Sequence, residues 1–260
     1  MSYIGVNQAK CKKDGICIEA CPAGCLEAGA EGFPQEVEGT FCIDCGHCVA
    51  VCPHGALSHA RLPEKDFSPA PKLKVKATDM EALMKSRRSV REFKDESIPR
   101  ETLDKLLDIA RYAPTAVNYQ KVSWIVTQER AKITSINKVI ADWMRRNDLM
   151  PAYLAMWDKG RDVILRGASN LAVACAPADY NWAAEDCAIA LSYMELAAAT
   201  MGLGVCWAGI LTRAAQADPA VARALSVPEG QKVCGGLMLG VPKYRYNLIP
   251  PRNAVKVAWI

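Results

Sequence analysis

From residue 78 onward the chain alternates between two apolar patterns, the 3.6-residue period of helices and the short unbroken runs of buried strands. Behind Pro99, a residue suited to a first helical turn, Leu103, Leu106, Leu107 and Ala110 recur at helical spacing and predict an amphipathic helix over residues 99–110. Thr78 and Asp79 are N-cap candidates for an earlier helix carrying Met80, Leu83 and Met84. Apolar runs at 122–127 and 233–239 predict strands, the second with glycines that allow close approach. Asp218-Pro219 starts a short helix. Residues 191–211 are nearly apolar over about the length that spans a bilayer. Glu195 in their middle and Gly202, Gly204 and Gly209 towards their end predict instead a buried helix closed by glycine and followed by a loop. Residues 61–76, with prolines and lysines and no period, read as a linker, and the tail at 255–260 alternates weakly. Trp143, Trp157 and Trp182 read as packing or pocket-lid aromatics, core burial being the simpler expectation.

The amino-terminal stretch is organised by sulfur. Eight of the 12 cysteines fall in residues 1–52, and the other four, Cys175, Cys187, Cys206 and Cys234, stand among apolar neighbours as reduced, buried thiols. Cys42, Cys45, Cys48 and Cys52, followed by Pro53, have the spacing C-x2-C-x2-C-x3-C-P, which can wrap three corners of an iron–sulfur cube while the fourth thiol reaches a second one. Zinc sites split their ligands into separated knuckles and have no use for the closing proline. Upstream, Cys11, Cys17, Cys21 and Pro22 repeat the frame with Asp14 where a second cysteine would stand. A carboxylate is a harder ligand than thiolate, which leaves three readings of that corner: weak oxygen ligation, a missing iron, or capture by Cys25. A solvent-facing turn for Asp14 and a packed free thiol for Cys25 are the plainer alternatives.

Charge changes the picture next. Residues 1–60 hold three Lys and no Arg against seven acidic residues, net −4, so a chain of net +4 leaves +8 for the rest. A basic larger domain suits an anionic cofactor, and no Lys/Arg block interleaved with aromatics argues for nucleic acid. His47, His54 and His59 all lie in or just after the second cysteine motif, so the larger domain can hold neither a Ser-His-Asp triad nor a His-ligated metal. The polar start is unlike a secretory signal, which with the free thiols points to a reducing cytoplasm and no membrane attachment.

The doubled cysteine motif resembles the bacterial two-cluster ferredoxins over about residues 3–60. The resemblance implies that the last cysteine of each motif serves the other motif's cluster: Cys42, Cys45, Cys48 and Cys21 on one, Cys11, Cys17 and Cys52 with Asp14 at the fourth iron on the other. Further on, Arg87-Arg88-Ser89-Val90-Arg91 groups guanidiniums able to grip a phosphate. The helix at 99–110 follows, then Ala113-Pro114-Thr115-Ala116-Val117-Asn118-Tyr119-Gln120 and a strand. In this order they resemble the FMN-dependent nitroreductase family. The later chain agrees: Gly160 to Ala168 before a strand at 171–176, an Ala-rich helix from about Ala183, the Gly202-Leu-Gly204-Val-Cys-Trp-Ala208-Gly209 turn, Leu239-Gly240-Val-Pro242, and Pro250-Pro251-Arg252. Departures are Lys121-Val122 in place of the usual Pro-Trp, and Ser169 in place of a frequent proline.

The resemblance implies an α+β chain with a two-cluster ferredoxin-type module at 1–60, a linker at 61–77 and a nitroreductase domain at 78–260. That domain is expected to have a mixed central sheet flanked by helices and to form a domain-swapped homodimer with FMN between subunits. It assigns Arg87, Arg88, Ser89 and Arg252 to the flavin phosphate, Arg91 to the pyrimidine edge, Pro114, Thr115, Ala116 and Asn118 to a partner-subunit contact, and the amides of Ala208 and Gly209 to flavin N5. The tail is expected to cross to the partner's sheet. The implied activity is an oxidoreductase that takes electrons from reduced ferredoxin or another low-potential donor through the clusters to FMN and on to a nitroaromatic, quinone or activated alkene. The alternatives are a redox relay or sensor without small-molecule turnover, and clusters that only brace the fold.

Overall fold

The computed structural model describes residues 2–260 and divides into two compact units. One runs to Lys74 and includes Val117–Tyr119; the other comprises Val75–Ala116 and Gln120–Ile260.

In the first unit, β1 (Ile4–Val6) pairs antiparallel with β4 (Leu57–His59), and β2 (Leu26–Ala28) with β3 (Pro34–Glu36). The short helices α1 (Ile16–Glu19) and α2 (His47–Val51) each follow a glycine in the left-handed region, Gly15 at φ 74 and Gly46 at φ 69. Two residues earlier, Lys13 and Asp44 take φ 62 and φ 52. The repeat in cysteine spacing is thus a repeat in backbone, and Asp14 occupies the same place in its turn as Cys45 does in the other. Glu36 Oε1 accepts from Ser2 Oγ at 2.8 Å and from the amides of Tyr3 and Ile4 at 2.6 and 2.7 Å, fastening β1 to β3. The buried core here is Cys17, Leu26, Cys48 and Leu57. So small a core needs a further source of stability, as metals or cross-links supply in small domains. Between residues 61 and 74 there is one 3-10 turn, Glu64–Asp66. Leu62 and Phe67 close over Gly46, where an added Cβ would stand 3.2 and 3.1 Å from them.

The second unit is a four-stranded sheet covered on both faces. Its order is β5 (Ser123–Thr127), β6 (Asn170–Pro177), β8 (Gln231–Gly240), β7 (Gly204–Trp207), antiparallel throughout, with one parallel bridge from Ser89 to Val205. The helices are α3 (Ala77–Ser86), α4 (Arg100–Ala110), α5 (Arg130–Arg146), α6 (Pro151–Asp158), α7 (Ala183–Thr200), α8 (Gly209–Ala217) and α9 (Pro219–Ala224). Successive side chains of β6 point to opposite faces. Leu171, Val173 and Cys175 join Ile133, Ile136, Ile140 and Met144 of α5 and Leu211 of α8. Ala172, Ala174 and Ala176 join Leu103 and Leu106 of α4 and Cys187, Leu191 and Met194 of α7. The alanines admit α7 closely, and so does Gly235, where a Cβ would lie 2.5 Å from Leu191 Cδ1.

Several sequence expectations need correcting. Helix α3 starts at Ala77 behind an extended Lys76 without a side-chain cap, so Thr78 and Asp79 sit inside its first turn, where Asp79 complements the helix dipole. The glycine-rich turn after α7 contains a strand, β7, because Gly204 gives up its side chain to Val90, 2.8 Å from where a Cβ would stand. Helices α5 and α6 lie where no element was expected. Trp143 is buried, but Trp182 is half exposed. The tail beyond Pro242 forms no helix or strand, and Val255, Val257 and Trp259 are exposed. Among the described residues, no helix is long and apolar enough to cross a membrane.

Candidate metal centres and cofactor site

In the first unit the eight motif residues line two separate cavities. Cys21, Cys42, Cys45 and Cys48 face one, about 350 Å³ of empty space partly open to solvent, walled also by Tyr3, Cys25, His47 and His59. Cys11, Asp14, Cys17 and Cys52 face the other, together with His54. Each cavity thus receives the last cysteine of the opposite motif. Backbone amides support the sulfurs: Cys25 N–H donates to Cys21 Sγ at 3.2 Å and Ala56 N–H to Cys52 Sγ at 3.4 Å. Burial pushes the Cys48 thiol up to about 11 and raises Cys17 and Cys42 as well. Buried thiols turned on one space are neutral only until a cation displaces their protons, so the donor set fits a soft, thiolate-bound centre.

The fourth corner of the second cavity is resolved in part. Asp14 Oδ1 accepts from the Ile16 amide at 3.3 Å, and Oδ2 lies 3.3 Å from His54 Nε2. Its carboxylate is therefore already held from two sides. Cys25, a candidate substitute ligand there from sequence, is buried at the other cavity with its Sγ 3.7 Å from Ala23 O and does not line this one.

In the second unit the basic pentad runs along β7 through the Ser89–Val205 bridge and the Val90 amide bonded to Val205 O at 2.9 Å. Arg87 does not stand free for a phosphate: its Nη1 donates to Glu195 Oε1 at 3.0 Å, because the buried Glu195 on α7 needs a counter-charge. Trp207 Nε1 donates to the second oxygen at 3.3 Å. Arg88 donates to the carbonyls of Ser86 and Lys85, and Arg91 to Ser89 O at 3.3 Å. Burial raises the Cys206 thiol, against the opposing pull of Arg91, Arg166 and Arg87, whose charges converge on this end of β7. Replacing Glu195 with leucine is expected to destabilise the protein by about 3 kcal/mol, the lower end of the range for a broken buried pair because Arg87 keeps some solvent contact. Denaturant unfolding of the variant against wild type measures it.

The loop after α4 is held in a strained form, with Val117, Asn118 and Gln120 at φ 50, 54 and 50. Such strain persists only where its surroundings impose it. Thr115 Oγ1 accepts from the Gln120 amide at 3.0 Å, and Ala116 N–H donates to Asp186 Oδ1 at 3.0 Å; Asp186 is buried and also accepts from Tyr180 OH at 2.5 Å. Pro114 sits on this loop between Ala113 and Thr115. Asn118 belongs to the first unit, where its amide donates to the carbonyls of Ile43 and Asp44 at 3.1 and 3.0 Å, so those donors are spent. The Ala208 amide is likewise spent, on Gly236 O at 2.8 Å. Gly209, at the start of α8, has open space where a Cβ would stand, so of the two expected amides it is the one able to face a ligand. Arg252 is exposed in the tail.

Sequence reasoning gave no role to Arg166, held at φ 60 in a turn where Asp162 accepts from the amides of Ile164, Leu165 and Gly167 at 3.0, 2.9 and 2.8 Å. An aspartate followed by an Arg-Gly turn was the available signal. Asp186 and Glu195 had none beyond being charges inside an apolar helix, which is itself a reason to ask what they bind.

The model of the nitroreductase family matches residues 84–241, and that of the 4Fe-4S dicluster domain residues 3–53. A provisionally named NADH dehydrogenase/NAD(P)H nitroreductase of Methanothermobacter thermautotrophicus is 28% identical over 169 residues, 65% of this chain and 80% of that protein. A protein of Hydrogenibacillus schlegelii named ferredoxin 7Fe is 36% identical over 69 residues, 26% of this chain and 80% of its own length. Among solved structures, a Bacteroides fragilis nitroreductase with bound FMN superposes with a TM-score of 0.57 at 27% identity, covering 70% of this chain and 97% of the other. The chain belongs to the nitroreductase family, an oxidoreductase that carries an N-terminal 4Fe-4S dicluster domain of the ferredoxin type.

Proposed function

We propose that this protein takes electrons from reduced ferredoxin or a similar low-potential donor through two iron–sulfur clusters to FMN, and passes them to a small organic acceptor: a nitroaromatic, a quinone or an activated alkene. The observation that carries the reading is the pair of cavities, one with four motif cysteines and the other with three and Asp14, each including the last cysteine of the opposite motif, in a chain of a flavin-binding family. Such clusters carry single electrons, and a flavin exchanges electrons singly or in pairs.

Cys42, Cys45, Cys48 and Cys21 are assigned to a 4Fe-4S cluster, and Cys11, Cys17 and Cys52 to a second cluster in which Asp14 stands at the fourth corner. A three-iron form of the latter is favoured by the hold of Ile16 and His54 on Asp14 and by the name of the Hydrogenibacillus relative. Asp14→Cys is then expected to raise iron from about seven to about eight per chain and to remove the oxidised three-iron EPR signal; iron analysis and EPR check it. For the flavin, Arg88, Ser89 and Arg252 are assigned to the phosphate and Arg91 to the pyrimidine edge. Arg166 joins this positive field, which favours an anionic reduced ring. Pro114, Thr115 and Ala116 are assigned to the flavin bound by a partner copy, and Gly209 N–H to N5. The homodimer reading is supported by what a single chain leaves uncovered: Met80 and Met84 on α3, the edge strand β5, and the apolar tail.

The test is turnover by the anaerobically purified protein with a panel of nitroaromatics, quinones and activated alkenes, driven by reduced ferredoxin and, separately, by NADH and NADPH. Ferredoxin-driven turnover of at least one acceptor is expected. Transfer to protein partners alone, with every small acceptor inert, would identify a relay instead.

A further inference from the structure

We propose that His59 is a positioning residue for the Cys42 thiolate, whose Nε2–H donates a hydrogen bond to Cys42 Sγ and raises the reduction potential of the cluster at Cys21, Cys42, Cys45 and Cys48. This rests on the reading above that those four thiolates hold a cluster.

The His59 side chain, at the end of β4, is almost wholly buried. Its Nδ1 accepts the Arg61 backbone N–H at 3.2 Å. A ring nitrogen that accepts an amide proton carries none itself, so in the neutral ring the proton is on Nε2. That nitrogen lies 3.5 Å from Cys42 Sγ and 3.5 Å from Asp44 Oδ1. Equal lengths do not make equal bonds: 3.5 Å is within reach of a large sulfur acceptor and at the outer limit for oxygen. Asp44 is moreover taken by Arg61, through Nε at 2.8 Å and Nη2 at 2.5 Å, while Arg61 Nη2 also lies 3.5 Å from Cys42 O. The Tyr3 ring, 5.7 Å from the imidazole, helps fix it in this pose.

The ligand atoms of Cys42, Asp44 and His59 lie within 4.8 Å of one another, a spacing that one divalent cation could also share. The engagement of Asp44 by Arg61 and the place of Cys42 in the four-thiol set favour the donor role. An N–H bond to a ligating thiolate draws negative charge from the sulfur, stabilises the more negative reduced cluster and makes reduction easier.

The test is an EPR-monitored redox titration of the anaerobically purified full chain as wild type, His59→Leu and His59→Gln, with iron and sulfide quantified. The expected result is a lower midpoint for this cluster in His59→Leu, by about tenfold in the oxidised-to-reduced ratio at fixed potential, about 59 mV for one electron. His59→Gln, which retains an N–H donor, should stay near wild type, and the other cluster should not move in either. An unchanged midpoint in His59→Leu, or an equal fall in both variants, overturns the proposal. A measurement that leaves position 59 intact covers a leucine variant that fails to load. With 15N-histidine in His47→Gln protein, ENDOR of the reduced cluster should find a weakly coupled nitrogen and an exchangeable proton. No coupling, or the strong coupling of a direct iron ligand, overturns it. Wild-type protein without this cluster removes the underlying assignment as well; a cluster present with a silent His59 removes this proposal alone.

Discussion

Serine in place of Cys48 should cost the chain about four irons and disconnect its flavin from protein donors. Cys48 is among the most buried of the eight motif residues, it faces the Cys21, Cys42 and Cys45 sulfurs, and with Cys17, Leu26 and Leu57 it is also core. A hydroxyl there is a poor ligand for iron and a polar group in an apolar place. Iron and sulfide should fall together, flavin content should stay near wild type, and ferredoxin-driven turnover should drop by at least about two orders of magnitude, ~2.7 kcal/mol in barrier terms. Dithionite-driven turnover should persist, because the proposed flavin residues lie in the other unit. Equal loss of both activities would mean that the cysteine unit only braces the fold.

Valine in place of Gly209 should leave the protein folded and weaken its hold on flavin. The glycine stands at the start of α8 with nothing within 4 Å of an added Cβ, and its φ is not one that only glycine adopts, so the chain alone gives no reason for it. A ligand lying against the backbone there would supply the reason. Overpacking such a contact costs about 1–3 kcal/mol, which is about 5- to 150-fold in flavin affinity. Fluorescence titration of deflavinated protein with FMN reads the affinity, and thermal unfolding without FMN should be unchanged within about 0.5 kcal/mol. Wild-type affinity in Gly209→Val would move the isoalloxazine elsewhere.

What could be read before the structure was what lies close in sequence. The thiol spacings marked each motif because each folds locally around a left-handed glycine, Gly15 or Gly46, whereas the exchange of the last cysteines between motifs came only from the resemblance to ferredoxins. The helix at α4 and the strand at β8 announced themselves through period and run length. The site's polar support was hidden for the opposite reason. Arg87 meets Glu195 across 108 residues and Ala116 meets Asp186 across 70, and no local pattern encodes such pairs. Gly204 looked like a breaker because its partner, Val90, comes from a distant segment. His59 looked like a bystander until the Arg61 amide fixed its tautomer. Helix α5 has helical spacing in Ile133, Ile136, Ile140 and Met144, but no cap or breaker in the sequence frames it.

The central claim, that clusters and flavin form one conducting chain, is tested most directly by anaerobic titration of the purified protein with substoichiometric reduced ferredoxin while the brown and yellow absorbance are followed together. The account predicts that both chromophores bleach, with iron near seven and flavin near one per chain. Clusters that bleach beside a flavin that stays oxidised, or protein with flavin and no iron, would contradict it.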